Sequence, residues 1–130
     1  MPTVNVRYIV DDVASAIEFY TSLLGFEVEM HPGPGFAALR RDGFRFYLSA
    51  TRGPGGASQA MPDGRVPEPG GWNRIQIEVT DLAAQAEKLQ KAGVTMRSNI
   101  IEGLGGKQLI VDDPAGNPVE LFEPKQQSTH

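Results

Sequence analysis

The sequence predicts an α+β fold in which one βαβββ module is written twice in tandem. Three observations carry that expectation. Residues 4–13, Val-Asn-Val-Arg-Tyr-Ile-Val-Asp-Asp-Val, are matched by residues 73–82, Asn-Arg-Ile-Gln-Ile-Glu-Val-Thr-Asp-Leu. Each of these alternating strands runs into an acidic cap candidate, a helical pattern and a terminating glycine. Each half then closes on a hairpin with a strong turn signal.

In the first half, Asp12 is the cap candidate for a helix that carries Val13, Ala16, Ile17, Tyr20 and Leu24 on one face and stops at Gly25. A strand from Phe26 to Met30 follows. Phe36 to Arg40 then turns at Asp42-Gly43 into Phe44 to Leu48. In the second half, Asp81 precedes a helix carrying Leu82, Ala86 and Leu89, and Gly93 suits the left-handed position after its end. A strand is expected from Val94 to Arg97. Gln108 to Val111 then turns at Asp113-Pro114-Ala115-Gly116 into Pro118 to Phe122. The modules span about 2–52 and 73–124 of a single domain, 1–130, with a tail at 125–130 expected to fray. Between them, 53–72 holds six glycines and four prolines, which excludes a regular element. That loop is either a plain linker or a flap over a ligand, with Trp72 as its anchor.

Twelve Lys and Arg against sixteen Asp and Glu give a net charge of −4, without the positive footprint that nucleic acid requires. The absence of cysteine removes disulfides, thiol catalysis and zinc–thiolate sites. The first residues lack the basic start and apolar run of a signal peptide, and no later stretch is long and apolar enough for a membrane span. A cytoplasmic location is the expectation.

Val10-Asp11-Asp12-Val13, Ala16-Ile17-Glu18-Phe19-Tyr20 and Leu24-Gly25-Phe26 form one motif set. Glu78-Val79-Thr80-Asp81-Leu82 and Asp113-Pro114-Ala115-Gly116-Asn117-Pro118-Val119-Glu120-Leu121 form its counterpart. In this order the chain resembles the glyoxalase, bleomycin-resistance and extradiol-dioxygenase superfamily, the vicinal oxygen chelate proteins. The resemblance implies two βαβββ modules whose mixed sheets curl as half-barrels around a cleft, often completed by a homodimer. In metal-dependent members the ion's ligands come from the first and last strands of each module. The repeat places Asn5, Tyr47, Arg74 and Glu120 at those positions. Only Glu120 is a competent ligand; Asn5 is weak, Tyr47 poor at neutral pH, and Arg74 repels a cation. Of the two histidines, His31 and His130, neither maps onto the site. No metal and no cofactor is expected.

Period-two alternation sorts each strand into faces. Val4, Val6, Tyr8 and Val10 oppose Asn5, Arg7 and Ile9. Phe44, Phe46 and Leu48 oppose Arg45, Tyr47 and Ser49, and Ile75, Ile77 and Val79 oppose Arg74, Gln76 and Glu78. The apolar sets should pack on the helices. The other set supplies the candidate ligand-binding residues: Asn5, Arg7, Arg45, Tyr47, Arg74, Gln76, Glu78 and Glu120, with Phe36, Trp72 and Phe122 as aromatic partners. The same charges also suit a salt-bridged lining with no ligand, for instance Arg7 or Arg74 with Glu120.

The leading expectation is a metal-independent protein, similar to the bleomycin-resistance branch, that sequesters a drug or natural product in the cleft. The alternative is a lyase, isomerase or dioxygenase of the same superfamily with a degenerate metal site, or metal-free acid–base catalysis by Glu120. The expected partner is a small molecule, with neither nucleic acid nor membrane.

Overall fold

The computed structural model describes residues 3–126. In chain order they form β1 (Val6–Val10), α1 (Val13–Leu24), β2 (Glu27–Gly33), β3 (Phe36–Arg41) and β4 (Phe44–Ala50). After one 3-10 turn (Gly56–Ser58) come β5 (Ile75–Glu78), α2 (Leu82–Lys91), β6 (Ile101–Glu102), β7 (Gly106–Asp112) and β8 (Pro118–Pro124). This is βαβββ twice, as the repeat predicts. One four-stranded sheet has the order β1-β4-β3-β2 and the other β5-β8-β7-β6. In each sheet the first strand pairs parallel with the last, and the other pairs are antiparallel. The chain divides into two compact units after Gly70. Expectations about residue 2 and about 127–130, including His130, lie outside the described residues.

The helix ends follow from local chemistry. Asp12 accepts the Ala14 N–H at 3.0 Å, satisfying a donor that the first turn of α1 leaves open, and it also accepts the Ser15 hydroxyl at 2.9 Å. Gly25, at φ +77°, turns the chain off the other end. Asp81 accepts the Ala84 N–H at 3.0 Å, and the Glu123 carboxylate reaches from β8 to take the Leu82 N–H at 2.8 Å. Gly93, at φ +80°, follows α2 in the left-handed conformation.

The apolar strand faces pack on the helices. In the first unit Tyr20 of α1 is fully buried, with its ring 4.9 Å from Phe46 and 5.6 Å from Phe26, while Tyr8 lies 4.8 Å from Phe46. The buried face of α1 also takes in Phe19, while Ile17, expected on it, is half-buried. In the second unit Leu82 and Leu89 of α2 are buried, as are Leu109, Val111, Val119 and Leu121. Among the described residues no helix is long and apolar enough to cross a membrane.

One strand is corrected. Val94 to Arg97 does not form a regular strand; it makes one isolated bridge, Met96 to Val111, and the ladder resumes only at β6. Ser98 is the cause. Its hydroxyl takes the Ile110 N–H at 2.9 Å, and the N–H groups of Arg97 and Ser98 both return to the Ile110 carbonyl. Two residues thus face one partner, which interrupts the ladder.

Candidate functional site

In the first unit, the face of the sheet turned away from α1 is built by register. Arg7 of β1 stands opposite Tyr47 of β4, Tyr47 opposite Ala38 of β3, and Ser49 opposite Phe36. The Tyr47 ring is the centre of this surface. The Arg7 guanidinium lies 5.5 Å from its centroid, that of Arg45 5.6 Å, and the Phe36 ring 5.5 Å. Cations over an aromatic ring are attracted by its quadrupole. Arg45 is further tied to Glu29 of β2 at 2.6 Å, while its Nε is buried without a hydrogen-bond acceptor. Asn5 precedes β1 and is exposed.

A pocket of about 360 Å³ opens at one end of this surface. Arg7, Phe36 and Ser49 line it together with the tip of the β2–β3 hairpin, residues 32–35, and with residues 54–58 of the glycine- and proline-rich loop. The loop is pinned there. The Ser58 hydroxyl donates to the Ala50 carbonyl, and the Gln59 side-chain amide donates to the carbonyls of Gly53 and Gly55 at 3.3 and 3.2 Å. The volume is at the small end of the range for ligand sites.

The second unit uses the equivalent positions differently. Gln76 of β5 stands opposite Glu120 of β8. The Glu120 side chain is almost wholly buried, and both of its oxygens are taken. Oε1 accepts from Arg74 Nε at 2.9 Å and lies 2.8 Å from Arg74 Nη2, and Oε2 accepts from Gln76 Nε2 at 2.6 Å. Glu78, in register with Phe122, is exposed, and the edge of the Phe122 ring lies against Gly105 and Gly106.

Trp72 belongs to the second unit. It is 67% exposed, with the Arg97 guanidinium 4.6 Å from its ring centroid. Arg97 is fixed by Asp112 at 2.8 Å and by the carbonyls of Gly71 and Gly116. Within the first unit, residues 54–58 are the part of the loop that lines a cavity.

Seven of the eleven predicted residues fall into two groups: Arg7, Phe36, Arg45 and Tyr47 around one ring, and Arg74, Gln76 and Glu120 around one carboxylate. Sequence reasoning missed Ser49, the hairpin tip and Arg97. Ser49 was legible as the next polar residue of the Arg45–Tyr47 face. The tip carried a signal in Pro32-Gly33-Pro34-Gly35, a short echo of the composition of 53–56. Nothing in the spacing connects Arg97 to Trp72.

The family description Glyoxalase/Bleomycin resistance protein/Dioxygenase superfamily matches residues 4–121. The chain belongs to this superfamily. It is 32% identical to an uncharacterized protein of Mycobacterium tuberculosis, over 95% of this chain and 75% of that one. A solved superfamily member from Sphaerobacter thermophilus is 27% identical, with a TM-score of 0.71 over 95% of this chain and 98% of the other. A bleomycin-binding protein from Streptomyces verticillus, complexed with copper(II)-bleomycin, is 24% identical, with a TM-score of 0.61 over 96% of this chain and 99% of the other.

Some members of the superfamily hold a divalent ion, and the donors here do not fit one. Among the described residues no group of three or more His, Cys, Asp or Glu side chains lies close enough to hold a metal. Glu120, the one competent donor at the four positions, already has a guanidinium on Oε1 and an amide N–H on Oε2. An incoming cation must displace Arg74 and then stand beside its positive charge.

Proposed function

We propose that this superfamily member is a metal-independent binding protein that sequesters a small molecule, of the kind that confers resistance to a drug or natural product. The observation that carries this reading is the pocket of about 360 Å³ in the first unit, with the arginine–tyrosine surface at its edge. It combines apolar walls with a few polar groups, the ordinary make-up of a ligand site. The same scaffold serves binding in the Streptomyces verticillus protein. We further propose that the protein acts as a homodimer in the cytoplasm.

The enzymatic alternative finds less support. Acid–base catalysis by Glu120 needs an oxygen free to exchange a proton with substrate, and both are engaged by Arg74 and Gln76. Metal analysis of purified protein, with thermal unfolding in Ni²⁺, Zn²⁺, Mn²⁺ and Fe²⁺ against chelator, tests the metal-independent part. A ligand that binds only the native state raises its stability, so unchanged melting with every metal is the expected result. Near-stoichiometric metal with a chelator-sensitive melt would overturn it. Calorimetric titration with a panel of drugs and natural products tests sequestration; saturable heat with the ligand recovered unchanged is expected. Turnover of a bound compound would move the assignment to an enzyme.

A further inference from the structure

We infer that the pocket of the first unit selects flat, apolar molecules carrying a single negative group, aromatic carboxylates above all, with Arg7 as the partner of the anion. The inference rests on the binding function proposed above and names its ligand class. Three observations lead to it. First, Arg7 is the one charged residue in the pocket lining, which contains no acid. Second, Arg7 has no carboxylate partner among the described residues, whereas Arg45, two residues before Tyr47 on β4, is paired with Glu29. Third, the walls are hydrocarbon and flat: the Phe36 ring with Pro32, Pro34 and Pro54, and the buried Ser49 as the polar neighbour of Phe36.

These features exclude other ligand classes. A cation would meet the Arg7 guanidinium with no acid in the lining to offset it. A phosphate ester brings a second negative charge that the single cation of the lining does not offset. A neutral apolar molecule fills the walls but leaves Arg7 without its anion. A carboxylate matches the planar donor fork of arginine, and contact with the Tyr47 ring restricts the movement of that fork before a ligand arrives. The volume limits the apolar part to a few fused rings at most.

The test is isothermal titration with three probes of one shape: 2-naphthoate, 2-naphthalenemethanol and 2-naphthylmethylamine. We expect naphthoate to bind at least about tenfold more tightly than the alcohol, and the amine not to displace it, since a charge-assisted bond sets the preference. Arg7→Gln is expected to bring naphthoate down to the affinity of the alcohol while leaving the alcohol unchanged. Arg7→Lys, which keeps the charge and loses the fork, is expected to retain part of the preference. If Arg7→Gln does not melt cooperatively, Arg7→Lys with Ser49→Ala carries the same comparison. Equal affinity for all three probes, or a naphthoate preference that survives Arg7→Gln, overturns the anion assignment and leaves sequestration standing. No binding of the three probes overturns the ligand class. If the wider drug and natural-product panel is also silent, sequestration falls with it.

Discussion

Removing Arg74 should do more damage than removing both Arg74 and the charge on Glu120. In the parent, the Glu120 carboxylate is held by Arg74 at 2.8–2.9 Å and by Gln76 at 2.6 Å. The Glu120 side chain is 8% exposed and that of Arg74 26% exposed, so the pair is neither a surface contact nor fully dry. Breaking a buried pair from one side costs about 3–5 kcal/mol because the remaining charge is stranded. Partial exposure of Arg74 screens this, and water entering the vacated space stabilises the carboxylate, so Arg74→Ala is expected to cost about 2–3 kcal/mol. For a chain of this size that corresponds to a melting temperature lower by roughly 8–12 °C. Adding Glu120→Gln removes the stranded charge, and the double variant is expected to regain about 1–2 kcal/mol. Urea unfolding of the parent, both singles and the double variant closes the cycle. A loss below about 0.5 kcal/mol for Arg74→Ala, or strictly additive losses, would refute the claim that this carboxylate is neutralised from within.

Further outcomes follow from other parts of the fold. Gly106→Ala is expected to cost about 3 kcal/mol or more in urea unfolding, since φ is +152° and a Cβ there meets the Glu123 carbonyl and the Phe122 ring. The Ser15 hydroxyl, donating to Asp12, holds that carboxyl below its ordinary value of 3.8, so the charged form favours the folded state. This contribution is full above the unfolded value and is lost as pH falls through the lower folded value; Ser15→Ala should shrink that part of the acid limb in urea midpoints taken between about pH 5 and pH 2. Arg97→Ala uncovers one face of Trp72, the single tryptophan, and is expected to increase acrylamide quenching of its emission; unchanged quenching would show that the stack does not persist in solution.

The fold was legible because its signals are local. Asp12, Asp81, Gly25 and Gly93 cap helices through chemistry within a few residues, and alternation in 6–10 and 44–50 separates the Tyr8–Phe46–Leu48 side from the Arg7–Tyr47–Ser49 side. The Val94–Arg97 strand failed for a reason that alternation does not carry: a serine hydroxyl competing with the backbone for one N–H. The candidate site was legible as a set of residues and not as an arrangement. Alternation says that Arg74, Gln76 and Glu120 are free to share a face, but the pairing of both Glu120 oxygens depends on the parallel register of β5 with β8. The pocket lay further out of reach. Its walls come from a hairpin tip and a loop whose glycines and prolines mark irregularity without saying where the chain goes.

The two modules, read position against position, give the reason for proposing a binding site in the first unit. The repeat sets Tyr47 against Glu120 and Arg7 against Gln76, and the strand register repeats that correspondence, with Arg7 opposite Tyr47 and Gln76 opposite Glu120. A carboxylate at the central position draws its neighbours inward: Arg74 Nε and Nη2 and Gln76 Nε2 engage Glu120, while Arg74 Nη1 donates to the Trp72 carbonyl. A tyrosine ring at the same position holds a guanidinium by its face and leaves the guanidinium N–H groups of Arg7 without a carboxylate among the described residues. The side chain at this one position therefore decides whether the module satisfies itself or keeps a donor for a guest. On this argument the binding capacity of the first unit follows from Tyr47 as much as from Arg7. Tyr47→Glu should convert it to the closed type: the new carboxylate would capture Arg7, and affinity for 2-naphthoate would fall about as far as in Arg7→Gln, with the fold retained. A Tyr47→Glu variant that still prefers naphthoate over the alcohol would break the correspondence between the modules.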